Sequence, residues 1–225
     1  MQIEHVGEQA VVLSVNYQRT RDCVAEVDRI KRFIDSHRHP AVDSIRTGLD
    51  CLLIEYSTDP GFDTWLEKLK ELEGGQGRPV LGLDSKDPAF VVPVCYDFGY
   101  DLPAISYRTG LSASEIIRIH SSQDYRIWMI GFMPGFPYMG ELPQELQLQR
   151  KTSPDPVVPS GSVAIAEEYV GIYPFASPGG WHVIGRTPLK IVDYSREVPW
   201  TFVYGMNIRF QPISALEFER IERRR

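Results

Sequence analysis

The stretch GFMPGFPYMGELP, residues 131–143, combines backbone-controlling residues with aromatic rings in a very short space. It holds three glycines, three prolines, two phenylalanines and one tyrosine, with Glu141 as its single charge. Glycine permits positive φ and a close approach of the backbone, while proline fixes φ and removes a hydrogen-bond donor. The composition predicts a loop held in one shape, since a flexible linker would be rich in glycine, serine and other polar residues. A rigid aromatic loop of this kind fills a core or lines a pocket.

Short β-rich runs surround that loop and predict the fold of the second part of the chain. AFVVPVCY (89–96) and YRIWMIGFM (125–133) indicate strands. Further strand-like runs, separated by turn signals, are VVPSGSVAIA, VGIYPF, WHVIG, LKIVDY, WTFVYG and NIRFQP. Short strands at this spacing are typical of a β-barrel or a sandwich. Capping boxes at 112–115 and 214–217, each a serine followed three residues later by glutamate, predict the starts of two helices.

The first part of the chain, residues 1–80, has a different pattern. AVVLSV (10–15) and CLLIEY (51–56) indicate strands, and apolar residues at helical spacing follow Thr20. Helices interleaved with strands predict a small α+β domain. GGQGRPVLGLDSKDP (74–88) has the glycine and proline content of a linker. We therefore expect an α+β domain at 1–80 followed by a β-barrel or sandwich domain at 81–225.

Composition and charge narrow the classes of function. The net charge of −6 and a pI near 5.4 argue against a nucleic-acid-binding surface, which needs clustered lysine and arginine. The three cysteines are widely spaced and form no CxxC pair, which favours reduced thiols over disulfides or a metal site. No apolar stretch approaches the ~20 residues that span a bilayer, and no signal peptide is recognisable. We expect a cytoplasmic protein with no membrane or nucleic-acid partner and no metal ligands.

The common catalytic and nucleotide-binding motifs are absent from the sequence. It contains no GxxxxGK[ST], GxGxxG, HExxH or GxSxG, and no Met-Lys pair of the kind that carries biotin. Three stretches remain in which glycine and proline constrain the backbone: the loop at 131–143, PSGSVAIA (159–166) and GIYPFASPGGWHVIGRTP (171–188). Arg186 and Arg150 lie in or near them, and the guanidinium fork matches a carboxylate or a phosphate.

Each of these features has a plainer interpretation that the residues alone leave open. Loops of glycine, proline and aromatic residues also serve as ordinary turns in β-barrels. Arg186 could belong to a surface ion pair, and Ser162 could satisfy its own backbone at a strand end. His120, late in an amphipathic helix, could be a satisfied interface histidine. Glu167 and Glu168 indicate an exposed turn.

Four stretches together resemble one family. GFMPGFPYMGELP, VPSGSVAIA, GIYPFASPGGWHVIGRTPL and HSSQDYRIWMIGF are similar to the family of KipI and the 5-oxoprolinase B subunit (PxpB), also called allophanate hydrolase subunit 1-like. This family resembles one half, the C and D subdomains, of a carboxyltransferase domain in urea carboxylase. The resemblance implies an α/β N-terminal domain followed by a cyclophilin-like β-barrel. It also implies that this chain carries no biotin.

The resemblance further implies an activity and partners. In the 5-oxoprolinase version, the B subunit works with a KipA-type protein, the C subunit, to phosphorylate 5-oxoproline with ATP and magnesium. The A subunit then completes ring opening to glutamate. The isolated chain is expected to be inactive, with ATP bound together with the partner. Two alternatives stay open: a KipI-type inhibitor of a sensor histidine kinase, which would dock through exposed Phe136, Pro137 and Tyr138, and a protein like carboxyltransferase or allophanate hydrolase that acts on another amide.

Site residues follow from the positions that match the family's motifs. The catalytic set is His120, Arg150, Ser162 and Arg186. The substrate-binding set is Phe136, Pro137, Tyr138, Ser177, Gly179, Gly180 and Trp181. Histidine titrates near neutrality and suits general acid–base chemistry, while an arginine could offset the charge of a phosphorylated carbonyl oxygen. Backbone amides at the two glycines could bind an oxyanion. Asp155 departs from the pattern, because the family often has an arginine there.

Overall fold

The computed structural model describes residues 1–57, 61–70 and 88–224. The chain divides into two compact units, Met1–Lys86 and Asp87–Arg225, each with its own hydrophobic core. None of the helices in the described residues has the length and the apolar character that crossing a bilayer requires.

The described residues of the first unit form a four-stranded antiparallel sheet and two helices. The elements are β1 (Gln2–His5), β2 (Ala10–Ser14), α1 (Thr20–Ser36), β3 (Val42–Thr47), β4 (Cys51–Tyr56) and α2 (Phe62–Lys70). In space the strands run β1, β2, β4, β3. The central strands β2 and β4 alternate buried and half-buried residues, and α1 buries Val27, Ile30 and Ile34 in the same core. The predicted α+β character of this part is confirmed.

The predicted linker at 74–88 and the predicted domain boundary between residues 80 and 81 fall largely within residues 71–87. Those residues lie outside the described part of the chain, so both stay predictions.

The second unit, described from residue 88 to 224, is built on a seven-stranded sheet with three α-helices. Its elements are β5 (Phe90–Val94), α3 (Leu102–Thr109), α4 (Ala113–Ser121), β6 (Asp124–Ile130), β7 (Pro137–Gly140), β8 (Asp155–Val158), β9 (Ser162–Ala166), β10 (Tyr169–Ile172), β11 (Ser177–Gly179), β12 (His182–Arg186), β13 (Asn207–Pro212) and α5 (Ala215–Glu222). The sheet runs β12, β9, β10, β7, β6, β13, β5; its β13–β5 pair is parallel and the other pairs are antiparallel. β8 and β11 form a separate two-stranded sheet. Both predicted capping boxes, at 112–115 and 214–217, begin helices.

A pair of backbone hydrogen bonds closes the seven-stranded sheet. Cys95 follows the edge strand β5, and Arg186 is the last residue of the opposite edge strand β12. The Cys95 N–H donates to the Arg186 carbonyl oxygen at 2.9 Å, and the Arg186 N–H donates to the Cys95 carbonyl oxygen at 3.0 Å. Because the two edges meet, the sheet forms a barrel, and backbone groups that an open edge would leave unpaired are satisfied there. The predicted β-barrel is confirmed.

His120 lies inside the core of this barrel unit. Its side chain, on the last turn of α4, is fully buried, and Nδ1 lies 2.8 Å from the Tyr96 hydroxyl oxygen. The ring packs on Phe210 with 4.5 Å between centroids, and the Tyr125 hydroxyl donates to the His120 carbonyl oxygen. Burial lowers the pKa of His120 to about 3, because the charged imidazolium would lose its hydration. His120 is therefore a neutral histidine of the core. It is not the satisfied interface histidine of the plainer interpretation, because Nε2 has no hydrogen-bond partner in the described part of the chain.

The buried imidazole makes a prediction about acid stability. In the unfolded chain histidine takes up a proton near pH 6.5, whereas folded His120 does so only near pH 3. Between these values the unfolded state binds more protons, so stability falls as the pH falls. His120→Gln removes this dependence. From pH 7 to pH 5, the free energy of unfolding of the wild type should drop by about 2 kcal/mol more than that of the variant.

Denaturant unfolding at the two pH values measures this difference. His5→Gln, which removes an exposed imidazole, is the matched control and should follow the wild type. A difference between wild type and His120→Gln that does not change with pH would contradict the burial of a neutral imidazole.

Candidate functional site

Aromatic side chains from β7, from residues beside it and from the segments around β10 and β12 surround a pocket of about 300 Å³. Phe136 is the central ring, and it meets Tyr173 and Trp181 edge to face with centroids 5.2 and 5.4 Å apart. Tyr138 meets Trp181 in the same way at 5.4 Å. Edge-to-face pairs place the positive edge of one ring on the negative face of another, which stabilises a fixed arrangement. We call these four residues, Phe136, Tyr138, Tyr173 and Trp181, the aromatic box.

The loop at 131–143 therefore both fills the core and lines the pocket. Phe136 is 1% exposed and Pro137 is buried at the start of β7, whereas Tyr138 is half-buried. Phe132, at positive φ, is 62% exposed at the pocket rim. The expectation that Phe136 and Pro137 form an exposed docking surface is wrong, because their rings pack inside the barrel unit.

Two glycines make room for the aromatic box. A Cβ atom on Gly171 would lie 2.5 Å from the Phe136 ring and 2.9 Å from the Trp181 ring. A Cβ atom on Gly179 would lie 2.3 Å from the Tyr173 hydroxyl oxygen. These distances are shorter than van der Waals contact, so only glycine lets the rings pack so closely against the backbone.

Arg150 supplies a positive charge beside the box. Its guanidinium carbon lies 5.9 Å from the centroid of the Trp181 ring, within the range of a cation–π contact. Its Nε lies 3.3 Å from Oε1 of Glu167, and the Arg150 side chain is 52% exposed. A half-exposed guanidinium over an aromatic face can receive a carboxylate from the pocket side.

Lys151 is the second cation that lines the pocket, and carboxylates of the same protein neutralise its charge. Its Nζ lies 2.6 Å from Oδ2 of Asp101 and 2.7 Å from Oδ2 of Asp155. The Tyr100 hydroxyl also donates to Asp155 at 2.9 Å. Burial acts to raise the pKa of Asp155, but hydrogen bonds from Lys151 and Tyr100 outweigh it and hold the pKa below its ordinary value. Asp155, the departure noted in the sequence, is thus an ion-paired residue at the side of the pocket.

The tyrosines of the box are neutral at physiological pH. Burial raises the pKa of Tyr173 to about 12, with a smaller opposing effect from a backbone hydrogen bond of Trp181. Burial also raises the pKa of Tyr138, which Arg150 opposes and Glu167 reinforces. Neither hydroxyl is therefore a base near neutral pH, and the half-buried Tyr138 can donate a hydrogen bond to a ligand.

The structure brings together about half of the predicted site residues. The predicted residues that line the pocket are Phe136, Tyr138, Arg150, Gly179, Gly180 and Trp181. Pro137 and Ser177 are close in sequence to lining residues but do not line it. His120, Ser162 and Arg186 do not line it either. Lys151 and Tyr173 do, and neither was predicted, although Tyr173 stands in the quoted GIYPF run and Lys151 follows Arg150 directly.

Arg186 and Ser162 lie together at another place on the barrel, in register on β12 and β9. Arg186 Nε donates to the Ser160 carbonyl oxygen at 2.9 Å, and the guanidinium stacks on Phe218 of α5 at 5.4 Å. Ser162 is 1% exposed. The catalytic set His120, Arg150, Ser162 and Arg186 was expected on one surface, but only Arg150 lines the pocket. Arg186 instead contacts Phe218 and Glu222 of the C-terminal helix.

No group of three or more histidine, cysteine, aspartate or glutamate side chains in the described residues has the arrangement of a metal site. The pocket itself offers one arginine whose charge is only partly neutralised and a lysine held by two carboxylates. These residues fit a small anion with an apolar body better than a magnesium triphosphate.

Comparisons with known proteins identify the family. A model of the carboxyltransferase domain, subdomain C and D, matches residues 1–202. The chain is 40% identical to the 5-oxoprolinase B subunit of Bacillus subtilis, over 96% of this chain and 95% of that protein. It is 42% identical to the 5-oxoprolinase B subunit of Escherichia coli O157:H7 over 123 residues. That second match spans little more than half of either protein, 54% of this chain and 56% of the relative.

A solved structure shares the fold. The crystal structure of TTHA0988 is 28% identical in sequence, with a TM-score of 0.74. The match covers 92% of this chain but only 40% of that one, so this chain corresponds to less than half of the larger protein. The resemblance to the family of KipI and the 5-oxoprolinase B subunit and the cyclophilin-like barrel are thus confirmed, and the chain belongs to the family of the carboxyltransferase domain, subdomain C and D.

Proposed function

We propose that this chain is the B subunit of an ATP-dependent 5-oxoprolinase. The observation that carries the proposal is its 40% identity, over nearly the whole length of both proteins, to a protein of that name. The pocket supports the same conclusion. It offers an aromatic box for a small ring and one guanidinium for one carboxylate, and 5-oxoproline consists of a five-membered lactam bearing a carboxylate.

In the proposed complex the chain binds and orients the substrate. The lactam ring packs against Trp181 and the half-buried Tyr138, and Arg150 receives the carboxylate through its Nη groups. The Tyr138 hydroxyl donates a hydrogen bond to the carbonyl oxygen, while the buried rings of Phe136 and Tyr173 exclude water. Because the complex holds the ring in one orientation, phosphoryl transfer takes place between groups that are already bound. The reaction then needs no separate encounter of substrate and phosphoryl donor in solution.

ATP and magnesium belong, in this proposal, to the site that the chain forms with its partner. ATP supplies the phosphoryl group when bound there. A KipA-type protein, the C subunit, completes that site, and the A subunit completes ring opening to glutamate. The isolated chain is inactive because its pocket holds only the substrate half of the reaction.

Turnover by the reassembled complex tests the proposal. The chain co-purified with its KipA-type partner and supplied with the A subunit should release ADP and glutamate only when 5-oxoproline is added. Omitting any one of the three proteins is the control, and each omission should abolish glutamate formation. Absence of turnover from a verified, folded complex would reject 5-oxoproline as the substrate and favour another amide.

The two predicted catalytic arginines should behave differently in that assay. Arg150→Gln removes the carboxylate partner and should raise the KM for 5-oxoproline by about 10- to 100-fold, the cost of losing a charge-assisted hydrogen bond. Arg186→Gln is the matched variant outside the pocket, and its KM should stay within about twofold of the wild type. The Arg186→Gln variant should instead have a lower melting temperature than the wild type, because the Arg186 side chain contacts Ser160 and Phe218. Equal effects on KM would contradict the assignment of the pocket.

A further inference from the structure

Glu167 occupies a backbone position that suits glycine. It is the first residue of the two-residue turn, Glu167–Glu168, that connects the paired residues Ala166 and Tyr169. Its φ is +54°, in the left-handed region that a Cβ atom makes unfavourable. Glycine is the usual residue at such a position of a tight hairpin. The chain therefore carries a carboxylate where the backbone alone would favour no side chain, and such strain often accompanies function.

The carboxylate of Glu167 points to the pocket cation. Oε1 lies 3.3 Å from Nε of Arg150, and the two side chains are 39% and 52% exposed. The pair is loose, because the distance exceeds that of a good hydrogen bond between charged groups. Within the described part of the chain, the guanidinium contacts the Glu167 carboxylate through Nε and the Trp181 ring through its face. Its Nη groups are therefore available to a ligand.

The charges around the pocket make Glu167 compete with that ligand for Arg150. Lys151 is neutralised by Asp101 and Asp155, so Arg150 is the cation that an incoming anion can use. Glu167 already neutralises part of its charge. The negative charge of Glu167 also acts to raise the pKa of Tyr138, so its electrostatic effect extends to the wall of the pocket. An anion that enters must exchange with Glu167 or accept its repulsion.

We propose that Glu167 is a specificity-determining residue that pairs with Arg150 in the free protein and yields it to a small monocarboxylate. The same carboxylate repels ligands with more than one negative charge, such as phosphates, and so keeps them out of this pocket. Only the identity of the carboxylate, 5-oxoproline, rests on the proposed function.

Binding measurements on the full chain test this role. Wild type, Glu167→Gln and the matched control Glu168→Gln are titrated with 5-oxoproline, cyclopentanecarboxylate and inorganic phosphate at one ionic strength. Glu167→Gln should bind both carboxylates about twofold to fivefold more tightly, the range of an exposed ion pair. Its gain for phosphate should be larger, while Glu168→Gln should bind all three as the wild type does.

A glycine variant separates charge from backbone strain. Glu167→Gly should show the same gain in affinity as Glu167→Gln and, in addition, a higher melting temperature, because glycine adopts positive φ without a steric penalty. Unchanged or weaker carboxylate binding by both variants would overturn the role of Glu167 as a competitor.

The choice of ligands distinguishes this inference from the proposed function. Cyclopentanecarboxylate has the ring size and the carboxylate of 5-oxoproline but no lactam amide to phosphorylate. If it binds more tightly to Glu167→Gln while 5-oxoproline does not bind at all, the inference stands and the proposed substrate is rejected. If neither carboxylate binds the wild type or Glu167→Gln, the inference is overturned.

Discussion

Two backbone hydrogen bonds between Cys95 and Arg186 close the barrel, and the position of the pocket depends on them. They fix β12 on one side, while β9 pairs with it on the other. Trp181 precedes this strand and Arg186 ends it. Five residues of extended chain span roughly 16 Å, so the strand that delivers Trp181 to the pocket carries Arg186 well away from it. The position of β12 in the closed barrel thus explains why Trp181 lines the pocket and why Arg186 does not.

The aromatic box forms much of the wall of the pocket in the closed barrel. Its four rings come from three segments of the chain, and Gly171 and Gly179 allow them to pack against the backbone. The rings supply apolar area and fixed geometry, while the charge comes from Arg150, whose guanidinium lies over Trp181 of the box. Pockets of this kind, mostly apolar with a few placed polar groups, bind small ligands by shape and by one or two directed contacts.

Local features of the fold were predictable from the sequence because local physics determines them. The capping box at Ser112 and the strand at 51–56 depend on residues that are neighbours in the chain, and both are present as expected. The local sequence does not determine which polar residues lie close together in the folded protein. Arg186 follows a glycine and suggests an anion clamp, but it contacts Phe218 and Glu222 on a helix that follows much later in the chain. His120 has the spacing of any residue on an amphipathic helix, and only the packing of Tyr96 and Phe210 around it shows that it is buried.

The aromatic box and Arg150 together form the proposed binding site for the carboxylate of a small cyclic substrate. A crystal structure of the chain in complex with its partner and 5-oxoproline tests this most directly. We expect the ring on Trp181, the carboxylate within hydrogen-bond distance of the Arg150 Nη groups, and Glu167 displaced from Arg150. A substrate bound beside Arg186, or one whose carboxylate has no contact with Arg150, would contradict this site.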